Sequence, residues 1–184
     1  MSLKFALLAS LAAKPQTGYE IAREFDATRG YFWRATHQQI YRELNKLAED
    51  NCLEFEQIAQ LSKPSKKRYV ITDAGRQELV KWLNDPVELQ PVRDPLLVKL
   101  SAGHLANPAL LKAQVEAHIG NYRQRLALFR TYEDSFRECE DSAALDQRYL
   151  YLTLRRGISV CEAWLDWAEE VCEFLDAEIA TREA

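Results

Sequence analysis

The chain has 184 residues, 47% of them hydrophobic and 28% charged, with a formal net charge of −4. This is the composition of a folded protein of one or two small domains and excludes a disordered chain. No run of about 18 apolar residues occurs, which excludes a transmembrane helix. The charge is uneven: residues 1–90 carry 13 Lys and Arg against 12 Asp and Glu, and residues 91–184 carry 11 against 16. The acidity lies in the second half and leaves the first free to offer a local basic face to phosphate.

Leu3, Leu7, Leu8 and Leu11 recur at helical spacing and predict a first helix over 2–13. One lysine, a short apolar run and small residues give this start a superficial likeness to a signal peptide. The spacing fits a packed helix better, and a cytoplasmic protein is expected. A second helix is predicted over 17–27. Gly30-Tyr-Phe-Trp33 then approaches a third over 36–50. Thr36 is a good N-cap, because its hydroxyl accepts from an orphan N–H of the first turn. Ile40, Leu44 and Leu47 make one narrow apolar stripe. The opposite face carries Gln38, Arg42, Asn45 and Glu49, flanked by Tyr41 on one side and by Gln39 and Lys46 on the other. Gln and Arg are the side chains that bond bidentately to adenine and guanine in the major groove. The N-terminal half of a recognition helix reaches bases, and Gln38, Tyr41 and Arg42 lie in that half.

A β-hairpin is predicted over 53–72, with Leu53-Glu-Phe-Glu-Gln-Ile-Ala and Arg68-Tyr-Val-Ile-Thr72 as strands and Pro64 with two serines in the turn. Residues 61–70 hold Lys63, Lys66, Lys67 and Arg68 and no acid. A basic tip suits a phosphate backbone, where each neutralised phosphate also releases counterions. Two short helices followed by a basic hairpin are the order of a winged helix-turn-helix. A fourth helix follows from Thr72 to Asn84 with Leu79, Val80, Trp82 and Leu83. Asp85-Pro86 and Gln90-Pro91 mark a linker, since proline turns the preceding residue away from helix.

Asp94-Pro95 opens a short helix and Asn107-Pro108 a long one to about 138, each a cap followed by proline in the first turn. The long helix carries Leu111, Val115, Ile119, Tyr122, Leu126 and Phe129 in one stripe. The last helix, over 142–179, has two stripes. One is Leu150, Leu154, Ile158, Cys161, Leu165, Ala168, Cys172 and Leu175; the other is Tyr149, Leu152, Val160, Trp164, Trp167, Val171 and Phe174. One face is expected to pack on the preceding helix and the other on a second subunit. The expected fold class is mostly α with a small β-hairpin: a winged helix-turn-helix domain over 1–88 and an antiparallel helical dimerisation domain over 89–184.

The stretches Leu7-Leu8 through Gly18-Tyr-Glu, Gly30-Tyr-Phe-Trp33, Gln39-Ile-Tyr-Arg-Glu-Leu44 and Arg68-Tyr-Val-Ile-Thr-Asp-Ala-Gly-Arg76 together resemble the PadR family of transcriptional regulators. The residues beyond about 85 resemble, by length and pattern, the helical C-terminal domain of longer members and of related virulence activators. The resemblance implies a homodimeric DNA binder, most often a repressor, whose C-terminal helices hold the dimer together. It implies Tyr19, Gln38, Gln39, Tyr41, Arg42, Lys66 and Lys67 as DNA contacts. It also implies a small aromatic or amphipathic effector that releases promoter DNA, and Trp164 and Trp167 are the candidate surface for it. Three apart on one helix, they offer a stacking face for a planar ligand, or a packed core pair.

No catalytic constellation stands out. His37, His104 and His118 are isolated, with His37 placed to begin the third helix and His118 at the edge of an apolar stripe. Cys52, Cys139, Cys161 and Cys172 lack CxxC spacing, so they read as small buried hydrophobes, and neither a metal nor a cofactor is expected. The rival reading is a winged helix used for protein contact, with the long helices as an assembly platform and no effector switch.

Overall fold

The computed structural model describes residues 3–27, 33–58, 66–88, 91–138 and 143–183. Gly30, Tyr31 and Phe32 of the approach to the third helix, the wing tip with Lys63 and Pro64, and Cys139 lie outside the described residues. The chain divides into two compact units, residues 1–89 and 90–184.

In the first unit the order is α1 (Leu3–Ala13), β1 (Gln16–Thr17), α2 (Gly18–Ala27), α3 (His37–Glu49), β2 (Leu53–Ile58), β3 (Lys66–Ile71) and α4 (Asp73–Asn84). The three strands are antiparallel in the order β1-β3-β2. The expected hairpin is therefore the larger part of a three-stranded sheet. Gln16 and Thr17 pair with Tyr69 and Arg68. Two residues give no periodic signal, which is why β1 is silent in the sequence. The core gathers Leu7, Leu8, Leu11, Ile21, Phe25, Ile40, Leu44, Leu47 and Tyr69, each 2% exposed or less. Burying one such aliphatic side chain is worth about 1.5–3 kcal/mol. Phe5 and Trp82 stack at 4.6 Å, tying α1 to α4.

The junction from α3 into β2 is tightly pinned. Asn51 takes a left-handed conformation, φ 57°, which asparagine tolerates better than most residues. Cys52 N–H donates to Leu47 O, Thr72 N–H to Cys52 O, and Thr72 Oγ1 to Asn51 O at 2.7 Å. Gly75, in the first turn of α4, sits where a Cβ would run into the Cys52 carbonyl oxygen.

In the second unit, α5 (Pro95–Ser101) and a 3-10 turn (Gly103–Leu105) lead to α6 (Pro108–Arg137) and α7 (Leu145–Glu183). Asp94 and Asn107 cap α5 and α6, each with proline in the first turn. Leu111, Val115, Ile119 and Phe129 of α6 are buried, as are Ile158, Cys161, Ala168 and Leu175 of α7. The other α7 stripe is open toward its two ends, with Tyr149, Leu152 and Phe174 each more than 60% exposed, while Trp164, Trp167 and Val171 between them pack against the core. His118, at the edge of the α6 stripe, is exposed, with its ring 6.0 Å from Trp164.

One position runs against the apolar pattern. Glu133, four residues beyond Phe129 on the same stripe, is 1% exposed. Arg130, Arg137 and Arg155 surround its carboxylate, and Tyr151 donates to it at 3.3 Å. These guanidiniums, Arg155 first, hold the carboxyl down at about 2. Three cations and a hydroxyl meet the cost of burying the charge.

Candidate nucleic-acid interface

The candidate reading surface is built on α3. Thr36 Oγ1 accepts from Gln39 N–H, and Gln39 Oε1 accepts in return from Thr36 N–H at 2.9 Å. This capping box satisfies orphan donors at the helix start. It also engages Gln39, which the resemblance assigns to DNA: its side-chain oxygen is turned back onto the helix end. His37 opens the helix and bonds through Nε2 to Asp26 Oδ2 at 2.9 Å, tying the end of α2 to the start of α3.

With Ile40, Leu44 and Leu47 buried, Gln38, Tyr41, Arg42 and Asn45 face outward. Tyr41 is 43% exposed and Tyr19 55%. The Tyr41 ring lies so close on Gly18 that a Cβ there would overlap it. Gly18 thus seats Tyr41 against the first turn of α2, beside Tyr19. That turn has its own cap: Glu20 Oε2 accepts from Thr17 N–H at 2.7 Å and from Thr17 Oγ1 at 2.8 Å. These bonds hold the Glu20 carboxyl below the ordinary carboxylate range.

Lys66 and Lys67 lie on opposite faces of β3, as the two-residue period of a strand requires. Lys66 is exposed and faces Ile58 across the ladder. Lys67 is half-buried, its Nζ 4.1 Å from the centroid of the Phe55 ring and 3.5 Å from Asn45 Oδ1. Tyr69 Oη donates to the same Asn45 oxygen at 3.4 Å. Arg68 pairs across the ladder with Glu56 at 3.8 Å. The structure thus brings Lys67 to α3 and keeps Lys66 away from it. Asn45, Phe55 and Tyr69 were missed as site residues. Asn45 stood only as part of the outward face of α3, and the register of β3 on β2 is what sets Phe55 and Tyr69 beside it.

In the second unit Trp164 and Trp167 meet edge to face at 5.7 Å. Trp164 also lies flat on Tyr122, with centroids 4.1 Å apart and planes 4° from parallel. Both tryptophans are half-buried. One broad face of Trp164 is already taken.

Residues 7–81 match the transcriptional regulator PadR-like family, and residues 92–176 match the virulence activator alpha C-terminal family. A probable transcriptional regulator of Mycobacterium tuberculosis is 39% identical over 187 residues, covering 95% of this chain and 98% of that protein. The chain belongs to the PadR-like family of transcriptional regulators. Members of this family regulate transcription and are not enzymes. Among solved structures similar to this PadR-like chain, the virulence activator AphA of Vibrio cholerae has a TM-score of 0.77 at 35% identity, covering 96% of this chain and 99% of its own. PadR of Bacillus subtilis, solved with operator DNA, has a TM-score of 0.79 at 26% identity, covering 94% and 98%. The same protein solved with p-coumaric acid has a TM-score of 0.75 at 25% identity, covering 95% and 98%. The fold of this PadR-like chain is that of these winged-helix regulators. Among the described residues, no helix is long and apolar enough to cross a membrane.

Proposed function

We propose that this PadR-like regulator is a homodimeric, sequence-specific binder of operator DNA that acts in the cytoplasm as a repressor. One observation carries the reading. Gln38, Tyr41 and Arg42 project together from the front half of a helix whose start is fixed by the Thr36–Gln39 box. Side chains that read bases stand where a recognition helix presents them, and Lys66 and Lys67 supply phosphate-directed charge on the neighbouring strand. Tyr19 contributes from the first turn of α2. Gln39 serves DNA through its N–H donors, since its oxygen is held in the cap. Dimerisation through the helical second unit, residues 90–184, is supported by the exposed apolar side chains Tyr149, Leu152 and Phe174 of α7.

The effector half of the proposal draws on the p-coumaric acid complex of the Bacillus regulator. In this chain Trp164 and Trp167 are the surface proposed to take a small aromatic molecule, which must compete with Tyr122 for Trp164. A ligand releases DNA only by preferring a dimer geometry with the wrong spacing between recognition helices.

The test is a mobility-shift titration on the chain's own promoter region at several salt concentrations. The expected result is specific binding whose salt dependence flattens in the Lys66→Ala/Lys67→Ala variant. Folded protein that shifts no fragment of that region overturns the proposal and favours a winged helix used for protein contact.

A further inference from the structure

We infer that Asn45 is a positioning residue: it holds Lys67 of the wing stem against the recognition helix, so that base reading and phosphate contact keep one spacing. This rests on the DNA-binding reading above and adds to it an exposed residue of α3 that is bonded to the edge of the core through Tyr69.

Asn45 lies one turn beyond Tyr41 and Arg42 on the outward face of α3. Its side-chain oxygen receives two donors from β3, Lys67 Nζ at 3.5 Å and Tyr69 Oη at 3.4 Å. An ammonium has donors only, so the amide must turn its oxygen to the strand and its N–H groups outward. Tyr69 is 2% exposed and cannot move without opening the core. It therefore fixes Asn45, and Asn45 fixes Lys67 from one side. Phe55, directly opposite Tyr69 in the ladder, holds the same ammonium from the other, 4.1 Å below it.

A free lysine has a long, mobile stem and gives up that freedom on meeting phosphate. Lys67 has lost much of it beforehand, which is how preorganisation raises affinity without a new contact. Lys66 shows the contrast, because it lies on the other face of the strand with no described partner. Two adjacent lysines thus have different settings: Lys66 is an exposed surface charge, and Lys67 is a placed one.

The experiment compares wild type, Asn45→Ala, Asn45→Asp, Lys67→Met, Lys66→Met and the doubles with Asn45→Ala. Two readouts are taken: backbone hydrogen exchange in the free protein, and the salt dependence of promoter binding. Asn45→Ala should speed exchange of the wing stem, residues 55–58 and 66–68, severalfold while the thermal midpoint holds. It should also lower promoter affinity about tenfold and the salt slope by about one per wing, the signature of one lost phosphate contact. In the Lys67→Met background it should add nothing, whereas its effect should add in full to that of Lys66→Met. Asn45→Asp keeps the acceptor and should restore slow exchange.

Equal exchange in wild type and Asn45→Ala, or full additivity with Lys67→Met, overturns the inference. Failure of the DNA-binding reading looks different: wild type itself then binds no promoter fragment. The exchange difference between Asn45→Ala and Asn45→Asp would still show whether Asn45 holds the wing.

Discussion

Gly18 and Tyr41 occupy one piece of space: the ring of Tyr41 covers the backbone of Gly18 so closely that no Cβ fits between them. Tyr41 is a proposed DNA contact, and the ring end of an exposed tyrosine moves more cheaply than backbone. Gly18→Ala should therefore leave the fold intact and displace Tyr41. DNA affinity should fall by about 1–3 kcal/mol, the range for losing one good base contact, while the thermal midpoint changes little. Loss of stability without loss of affinity would show that Tyr41 does not meet DNA.

Gly75→Ala should behave in the opposite way. Its Cβ would meet the Cys52 carbonyl oxygen, which is backbone and pinned by Thr72. Overpacking of this kind costs about 1–3 kcal/mol. In a domain of this size that lowers the thermal midpoint of the first unit by roughly 4–8 °C for each kcal/mol. Differential scanning calorimetry checks it.

Glu133 gives a pH dependence of defined sign. Its folded pKa, about 2, lies below the ordinary 4.5. The stability it supplies is then fully present above about pH 5 and is lost as pH falls toward 2. Glu133→Gln should lower the unfolding midpoint more at pH 7 than at pH 2, so the wild-type and variant curves converge in acid. Parallel curves across that window would remove the assignment.

The open stripe of α7 predicts the oligomeric state. Leu152→Asp and Phe174→Asp place charge on residues more than 60% exposed in the single chain. Each substitution should leave the helix content unchanged and shift light scattering from dimer to monomer. DNA binding should weaken with it, because two linked modules lose their mutual effective concentration. A wild-type chain that scatters as a monomer at micromolar concentration would sink the homodimer itself.

For the effector, Tyr122→Ala removes the ring that covers Trp164. Titration with a phenolic acid should then quench tryptophan emission at lower concentration than in wild type, with DNA release following. Equal titration curves would place the ligand elsewhere, and no quenching in either protein would return both tryptophans to a packed role.

Much of this was legible in the sequence because it is written locally. The Thr36 cap, the Ile40–Leu44–Leu47 stripe and the Asn107-Pro108 start need only neighbours within a turn or two, and each stands within a residue or two of its expected place. Position 133 also lay on a visible stripe, but a carboxylate there becomes intelligible only when Arg155 arrives from another helix. The same holds for Lys66 and Lys67. A strand's alternation separates their faces, but which face turns toward α3 depends on pairings such as Phe55 with Tyr69, and nothing local encodes them. Gln39 illustrates a third case, in which one side chain suits two tasks and local geometry shows it engaged in capping.

The pinned junction at Asn51 and Cys52 bears on how any signal reaches the reading helix. The turn that follows α3 is clasped by the start of α4, through its cap Thr72 and through a glycine with no room for a methyl group. Slack is missing at the point where α3 would have to bend or slide. A force that enters through α4 therefore acts as on the handle of a rigid tool. It is expected to turn α3 together with β2 and β3, so that what changes is the aim of an unchanging grip.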